Sequence, residues 1–194
     1  MDLTLDITGT SPLLMHNARL ADPLDPMARD LKKVTSKTKK TDDDHAEMAR
    51  LEFLGALYCD PQVGPYLPGD NIFRALVDAA RKRKLGKKVT EGVFVTSSIN
   101  PIAYGGPRDP NELWKDGGFV NRASAKVGMA RVNRTRPQFT TWRTNANLYL
   151  DTDVLDVDDL RDIVDISGRL VGLGNWRPRF GRFEGALTVV KAVS

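Results

Sequence analysis

The 194-residue chain is poor in the residues that build covalent or metal-bound frameworks. Its single cysteine, Cys59, cannot form an internal disulfide and fits a reducing compartment, so we expect a cytoplasmic protein. Because only His16 and His45 accompany that cysteine, neither a metal site nor a cofactor is expected. No apolar run has the length of a membrane span and no signal-peptide pattern opens the chain, so no membrane association is expected.

The net charge is only +4, but the charge is unevenly distributed. Of the 29 Lys and Arg residues, 21 fall in four segments, Arg29 to Lys40, Arg74 to Lys88, Arg131 to Arg143 and Arg169 to Arg182. Acidic residues concentrate elsewhere. This separation of basic from acidic residues can give the folded protein one strongly positive face, which indicates that its partner is an anionic polymer. The alternative for each segment is an ordinary solvated face.

Hydrophobic periodicity predicts an α+β fold. Leu3, Leu5 and Ile7 alternate with polar residues, which is typical of a half-buried strand. Further strands are predicted at 89–102, 147–150 and 185–190, and helices after Asp70 and over 156–167, where Gly168 is the expected cap. Without insertions the order is βαββαβ, the ferredoxin-like (RRM-like) pattern.

Two segments interrupt this pattern. Residues 17–58 carry Asp-Pro turn signals, a predicted helix over 27–34 and a possible capping box at Thr41 and Asp44, and we interpret them as a helical insertion. Residues 117–145 are basic, β-branched and broken by Pro137, which favours an extended β-hairpin. Phe139 and Trp142 lie among its arginines, and a thumb-like hairpin of this composition could wedge between bases or touch a neighbouring subunit, although an ordinary twisted hairpin explains it equally.

The segment from Gly172 to Gly185, GLGNWRPRFGRFEG, combines glycines, arginines and aromatic residues. Arginine forks fit phosphate, aromatic rings offer faces to bases, and glycine permits close backbone approach. We therefore expect Arg177, Arg179 and Arg182 to bind phosphates, helped by backbone N–H groups of the same loop. The alternative is a packing turn with Trp176 and Phe180 buried.

Three landmarks occur in a familiar order: Thr10 to Leu14 after the first strand, Tyr66 to Phe73 at the start of a helix, and the glycine-rich loop Gly172 to Glu184. Together they resemble the RAMP superfamily of CRISPR-associated proteins, and among these the backbone subunits that line up along guide RNA. The resemblance implies one RAMP-like domain over 1–194, with a ferredoxin-like palm, a β-hairpin thumb and a helical insertion. Because a second RAMP domain is absent and the chain is short, the resemblance implies a stand-alone or virus-encoded relative of these subunits.

The function implied is coating of single-stranded nucleic acid through its backbone, by subunits that associate side by side, with other CRISPR-type subunits as possible partners. RNA is favoured over single-stranded DNA by the resemblance. The candidate nucleic-acid-binding residues are Asn175, Trp176, Arg177, Arg179, Arg182, Arg74, Arg81, Arg83, Lys84, Arg131, Arg134, Arg136, Arg143, His16, Asn17, Lys39 and Lys40.

Two alternatives remain open. RAMP nucleases that process guide RNA can use an early histidine for acid–base cleavage, so His16 is a candidate by resemblance, with a structural or RNA-contacting role as its alternative. Some RAMP backbone subunits use a loop aspartate for metal-dependent RNA cleavage, so Asp22 and Asp25 are candidates by resemblance. Both aspartates precede proline, however, and turn capping also explains them. The other alternative is a non-catalytic mimic that binds CRISPR subunits and no nucleic acid.

Overall fold

A computed structural model describes residues 1–128 and 130–190, which form a mixed α/β structure with several antiparallel sheets. The strands are β1 (Asp2–Gly9), β2 (Leu13–Leu14), β3 (Cys59–Asp60), β4 (Gly64–Pro68), β5 (Val93–Val95), β6 (Ile99–Pro101), β7 (Val120–Val127), β8 (Ala130–Phe139), β9 (Arg143–Leu150) and β10 (Phe183–Val189). The α-helices are α1 (Pro26–Thr35), α2 (Asp42–Ala56), α3 (Gly69–Arg81), α4 (Gly86–Gly92), α5 (Pro110–Asp116) and α6 (Val157–Ile166). No helix within the described ranges is long and apolar enough to cross a membrane.

The chain divides into two compact units. The first, here called the sheet unit, contains Met1–Leu13, Pro65–Gly105 and the chain from Thr140 onward. The second, here called the hairpin unit, contains Leu14–Gly64 and Gly106–Phe139, and so includes the predicted helical insertion over 17–58. The interpretation of 1–194 as a single RAMP-like domain stays a prediction.

The sheet unit is built on a four-stranded sheet in the order β10-β1-β9-β5, in which every neighbouring pair is antiparallel. The alternation predicted for β1 is confirmed, because Leu3, Leu5 and Ile7 are all buried. Leu5 pairs with Leu187 of β10 on one side and with Ala146 of β9 on the other. Helix α3 contacts β5 and α6, and α6 contacts β10, so these two helices cover the apolar face.

The strand predicted over 89–102 is wrong in its extent. Residues Gly86–Gly92 form helix α4, and only the short strands β5 and β6 follow. Gly92, at the end of that helix, packs closely against Val154, since a Cβ there would lie 2.9 Å from the Cβ of Val154. The buried side chain of Asn100 then donates to the carbonyls of Leu67 and Ser97, which holds the bend between β5 and β6.

The helix predicted over 156–167 is confirmed as α6, but the prediction that Gly168 caps it is wrong. Helix α6 continues into a π-helical turn over Ser167–Val171 and stops at Gly172, whose φ is +77°. Gly168 serves close packing instead, since a Cβ there would lie 2.0 Å from the carbonyl oxygen of Phe183 in β10. The glycine at 168 thus marks where the helix meets the last strand.

In the hairpin unit, α1 and α2 pack together and α2 packs on β8. The capping box at Thr41 and Asp44 is confirmed, and hydrogen bonds from Lys37 and Thr41 lower the pKa of Asp44 to about 2. Strands β7 and β8 form the expected antiparallel hairpin, in which Val120 pairs with Pro137. The hairpin is shorter than predicted.

Strand β8 ends at Phe139, and Arg143, which the sequence placed in the hairpin, begins β9 of the sheet unit. Phe139 and Trp142 are both fully buried, so neither is exposed to wedge between bases. Within the sheet unit, the Trp142 indole donates to the carbonyl of Ser11 at 2.9 Å. Phe139 therefore belongs to the hydrophobic core of the hairpin unit, and Trp142 to that of the sheet unit.

Candidate nucleic-acid interface

Two basic segments that are distant in the sequence meet at Asp78 of α3. Its carboxylate lies 3.2 Å from Arg74 Nε and from Arg81 Nη1, one turn away on either side. It also lies 3.6 Å from Arg177 Nη2, in the glycine-rich loop. We call Arg74, Asp78, Arg81 and Arg177 the Asp78 cluster. Three guanidinium groups share one carboxylate, so the cluster retains a formal charge of about +2.

The guanidinium groups of the cluster are accessible. The side chains of Arg74 and Arg81 are 60% and 59% exposed, and that of Arg177 is 30% exposed. Ion pairs this exposed contribute little to stability because water screens them. The arginines can therefore exchange the carboxylate for another anion at a small cost in free energy. The neighbouring recess of about 270 Å³, which Lys82 and Pro178 help to line, leaves room for such an anion.

The glycine-rich loop is fixed to the turn that follows β1. Gly181 N donates to Pro12 O at 2.8 Å, Arg182 N donates to Ser11 Oγ at 2.9 Å, and Thr10 N donates to Arg182 O at 2.8 Å. Two of the three landmarks that carried the family resemblance are thus bonded to each other. The loop holds its arginines on a rigid base.

The glycines of this loop serve backbone packing. Gly181 has a φ of +73°, and a Cβ there would lie 1.8 Å from Leu173 O. Leu173 N donates to Gly181 O, and Gly172 N donates to Ser167 O. Since these N–H groups and those of residues 180–182 are already bonded within the chain, they do not contribute to the phosphate cradle that the sequence suggested.

The loop side chains divide into exposed cations and packed residues. Arg179 is exposed, with its guanidinium 5.7 Å from the centroid of the Phe180 ring, and Arg182 is exposed, with Nε donating to Pro178 O. Trp176 is half-buried at a φ of +54°, its ring 6.1 Å from that of Phe180. Trp176 therefore packs against Phe180 within the loop, although neither ring is buried as the packing-turn alternative expected.

The remaining sheet-unit candidates do not join the Asp78 cluster through any hydrogen bond or ion pair among the described residues. Arg83 pairs with Asp162 of α6 at 3.0 Å. Lys84 is exposed and has a φ of +61°, Arg143 is exposed on β9, and the side-chain oxygen of Asn175 is buried without a partner in the described chain. Sequence reasoning missed Asp78, although its spacing from Arg74 and Arg81 is the i+4 and i+3 spacing of paired helix residues.

In the hairpin unit, His16, Arg134 and Arg136 line one pocket together with Glu52. The buried Glu52 was not anticipated, because a glutamate between Leu51 and Phe53 gives no signal of its burial. Arg131 and Lys39 are exposed, and Lys40 donates to the carbonyl of Lys37. The side chain of Asn17 accepts a hydrogen bond from Arg19 N and so caps a short 3₁₀ helix.

The two aspartates proposed for metal-dependent cleavage have turn roles. Asp25 caps α1 by accepting from Met27 N at 2.8 Å, and its other oxygen accepts from Arg19 Nε at 3.0 Å. Asp22 accepts from Leu24 N at 2.8 Å. Over residues 1–128 and 130–190, no three His, Cys, Asp or Glu side chains converge in a way that could hold a metal ion.

Comparison with known proteins adds one finding about the fold. No protein-family model and no curated protein matches the sequence. Among solved structures, the cryo-EM structure of the Type III-B Cmr-beta bound to cognate target RNA contains a chain that matches 98% of this one, with a TM-score of 0.53 and 14% identity. The two chains share a fold. This chain spans 60% of the length of its neighbour.

At 14% identity this likeness concerns the fold alone. It is compatible with the α+β fold that the sequence predicts, and membership of the RAMP superfamily stays a prediction. Assignment to the guide-RNA-binding backbone subunits stays a prediction.

Proposed function

We propose that this protein binds single-stranded RNA through the sugar–phosphate backbone, as a RAMP-like subunit with a ferredoxin-like palm. The Asp78 cluster is the observation that carries the proposal, because three accessible guanidinium groups share a single carboxylate beside an anchored arginine-rich loop. The assignment of a ferredoxin-like palm is supported by the βαββαβ order of the sheet unit, formed by β1, α3, β5, β9, α6 and β10. The strand order of its sheet, β10-β1-β9-β5, supports the same assignment. RNA, rather than DNA, is supported by the RNA-bound complex that contains the structural neighbour.

In this proposal the RNA backbone contacts Arg74, Arg81 and Arg177, and extends to the exposed Arg179 and Arg182. Phosphate contacts of this kind fix a strand in place without reading its bases, so binding does not depend on sequence. Successive copies coat one strand side by side in the cytoplasm, and other CRISPR subunits are the expected partners.

Fluorescence anisotropy with labelled RNA tests this function. We expect a 30-nucleotide oligo(U) and a mixed sequence of the same length to bind with affinities within about threefold of each other, and a 30-base-pair duplex to bind more weakly. The logarithm of the association constant should fall linearly with the logarithm of salt concentration, by about 0.7 per phosphate contact. Longer RNA should bind proportionally more copies.

Two results would count against the proposal. Protein that binds neither RNA nor single-stranded DNA at 50 mM salt would favour the mimic that meets CRISPR subunits through protein contacts. Tight binding to one sequence alone, with little salt dependence, would contradict backbone recognition.

A further inference from the structure

The pocket between α2 and β8 of the hairpin unit contains more positive than negative groups. It has a volume of about 350 Å³ and is lined by His16, Leu20, Ala21, Leu31, Glu52, Arg134 and Arg136. Polar groups line one part, and the side chains of residues 20, 21 and 31 are aliphatic. Small-molecule sites commonly combine apolar walls with a few polar or charged groups that orient the ligand.

Glu52 is fully engaged by Arg134 and the backbone. One of its oxygens accepts from Arg134 Nη1 at 2.6 Å and the other accepts from Thr135 N at 2.8 Å, and only 4% of the residue is exposed. This carboxylate therefore neutralises Arg134. It forms no hydrogen bond or ion pair with Arg136.

Arg136 is a buried cation without a carboxylate partner among the described residues. Only 8% of the residue is exposed, Nη1 donates to the Thr135 carbonyl at 3.1 Å, and Nε donates to nothing in the described chain. Removing a charge from water is unfavourable, and burial lowers the pKa of Arg136, while the charge of Glu52 opposes this shift and that of Arg134 adds to it. An anion from outside the chain would relieve this imbalance.

His16 faces the same charges. His16 is exposed to solvent, but desolvation by its protein neighbours still lowers its pKa, Arg136 and Arg134 lower that pKa further, and Glu52 opposes them in part. The two guanidinium groups therefore disfavour the charged form of the imidazole. A bound anion would reverse the local field and favour imidazolium, which donates from both ring nitrogens.

We propose that this pocket binds a phosphate group, held by Arg136 and Arg134, with His16 taking up a proton as the group binds. Because Glu52 neutralises Arg134, the uncompensated charge is one guanidinium plus one imidazolium, which matches a dianion. This charge count favours a phosphate monoester or inorganic phosphate over the singly charged diester of an RNA strand. The inference is independent of the RNA-binding surface in the sheet unit.

Calorimetric titration of the full chain with inorganic phosphate and, separately, with the dinucleotide ApA, which carries one phosphodiester and no monoester, tests the proposal. We expect phosphate to bind and Arg136→Gln to weaken its binding by about tenfold. Arg108→Gln, which removes an exposed charge from the same unit, should leave the affinity unchanged. Binding of ApA as tight as that of phosphate would identify the strand backbone as the source of the group.

Two further variants keep the test decisive if Arg136→Gln folds poorly. Glu52→Gln should bind phosphate several-fold more tightly, because it removes the competing negative charge, and misfolding could not produce that gain. Sulfate, whose charge is constant over this range, should bind about tenfold more tightly at pH 5.5 than at pH 8.0, and His16→Gln should abolish the difference.

Absence of measurable binding by phosphate, sulfate and ApA would overturn the proposal. So would equal weakening by Arg136→Gln and Arg108→Gln. None of these titrations uses the RNA surface, so their failure would leave the proposed function in place, and failure of RNA binding would not affect them.

Discussion

Replacing Arg74, Arg81 and Arg177 with glutamine is expected to weaken binding of a 30-nucleotide RNA about a hundredfold at 50 mM salt. In the proposed complex each of these side chains supplies a charged donor to the strand, and none is buried enough for its loss to disturb the core. The salt dependence is the sharper readout. If three phosphate contacts disappear, the slope of log affinity against log salt should fall by about two units.

The matched control removes the same charge elsewhere. Arg50, Arg108 and Arg161 lie outside the four basic segments, and their triple replacement by glutamine should change the slope by much less. Asp78→Asn gives a test of opposite sign, since removing the shared carboxylate should strengthen RNA binding. If the two triple variants weaken RNA binding equally, net charge and not the cluster is responsible.

Gly181→Ala is expected to destabilise the protein by about 3 kcal/mol or more. The new Cβ would lie 1.8 Å from Leu173 O at a φ of +73°, so the loop must move away from residues 10–12 or adopt strained backbone angles. For a domain of this size such a loss lowers the midpoint of thermal unfolding by about 6–12 °C, measurable by circular dichroism.

Gly105→Ala is the control for this prediction. Gly105 lies in the same sheet unit, and a Cβ there meets nothing within 4 Å. The free energy of unfolding of the Gly105→Ala variant should match that of the unmodified protein to within about 0.5 kcal/mol. Equal melting temperatures for the two glycine variants would show that the glycine-rich loop is not the packed element described above.

Sequence reasoning succeeded where one local pattern dominates. Leu3, Leu5 and Ile7 had to face a core because strand side chains alternate, and Thr41 and Asp44 satisfy free N–H groups at the start of α2. It failed where tertiary packing decides. Nothing local in the β-branched stretch after Gly86 reveals that Gly92 packs against Val154.

For the interface, the sequence identified Arg177 and the arginines of α3 separately. Their meeting at Asp78 depends on how the loop after α6 is fixed to residues 10–12, which no spacing in the sequence encodes. The sequence also could not show that Phe139 and Trp142 are buried, since an aromatic residue among arginines suits a core as well as a base.

Photo-crosslinking of an oligo(U) 30-mer to the full chain, followed by mass spectrometry of the digested protein, shows directly whether RNA lies on the Asp78 cluster and the glycine-rich loop. We expect crosslinks in peptides that contain residues 74–82 and 172–182, lost on competition with unlabelled RNA and at high salt. Crosslinks confined to other peptides, with none in these two, would contradict the proposed RNA interface.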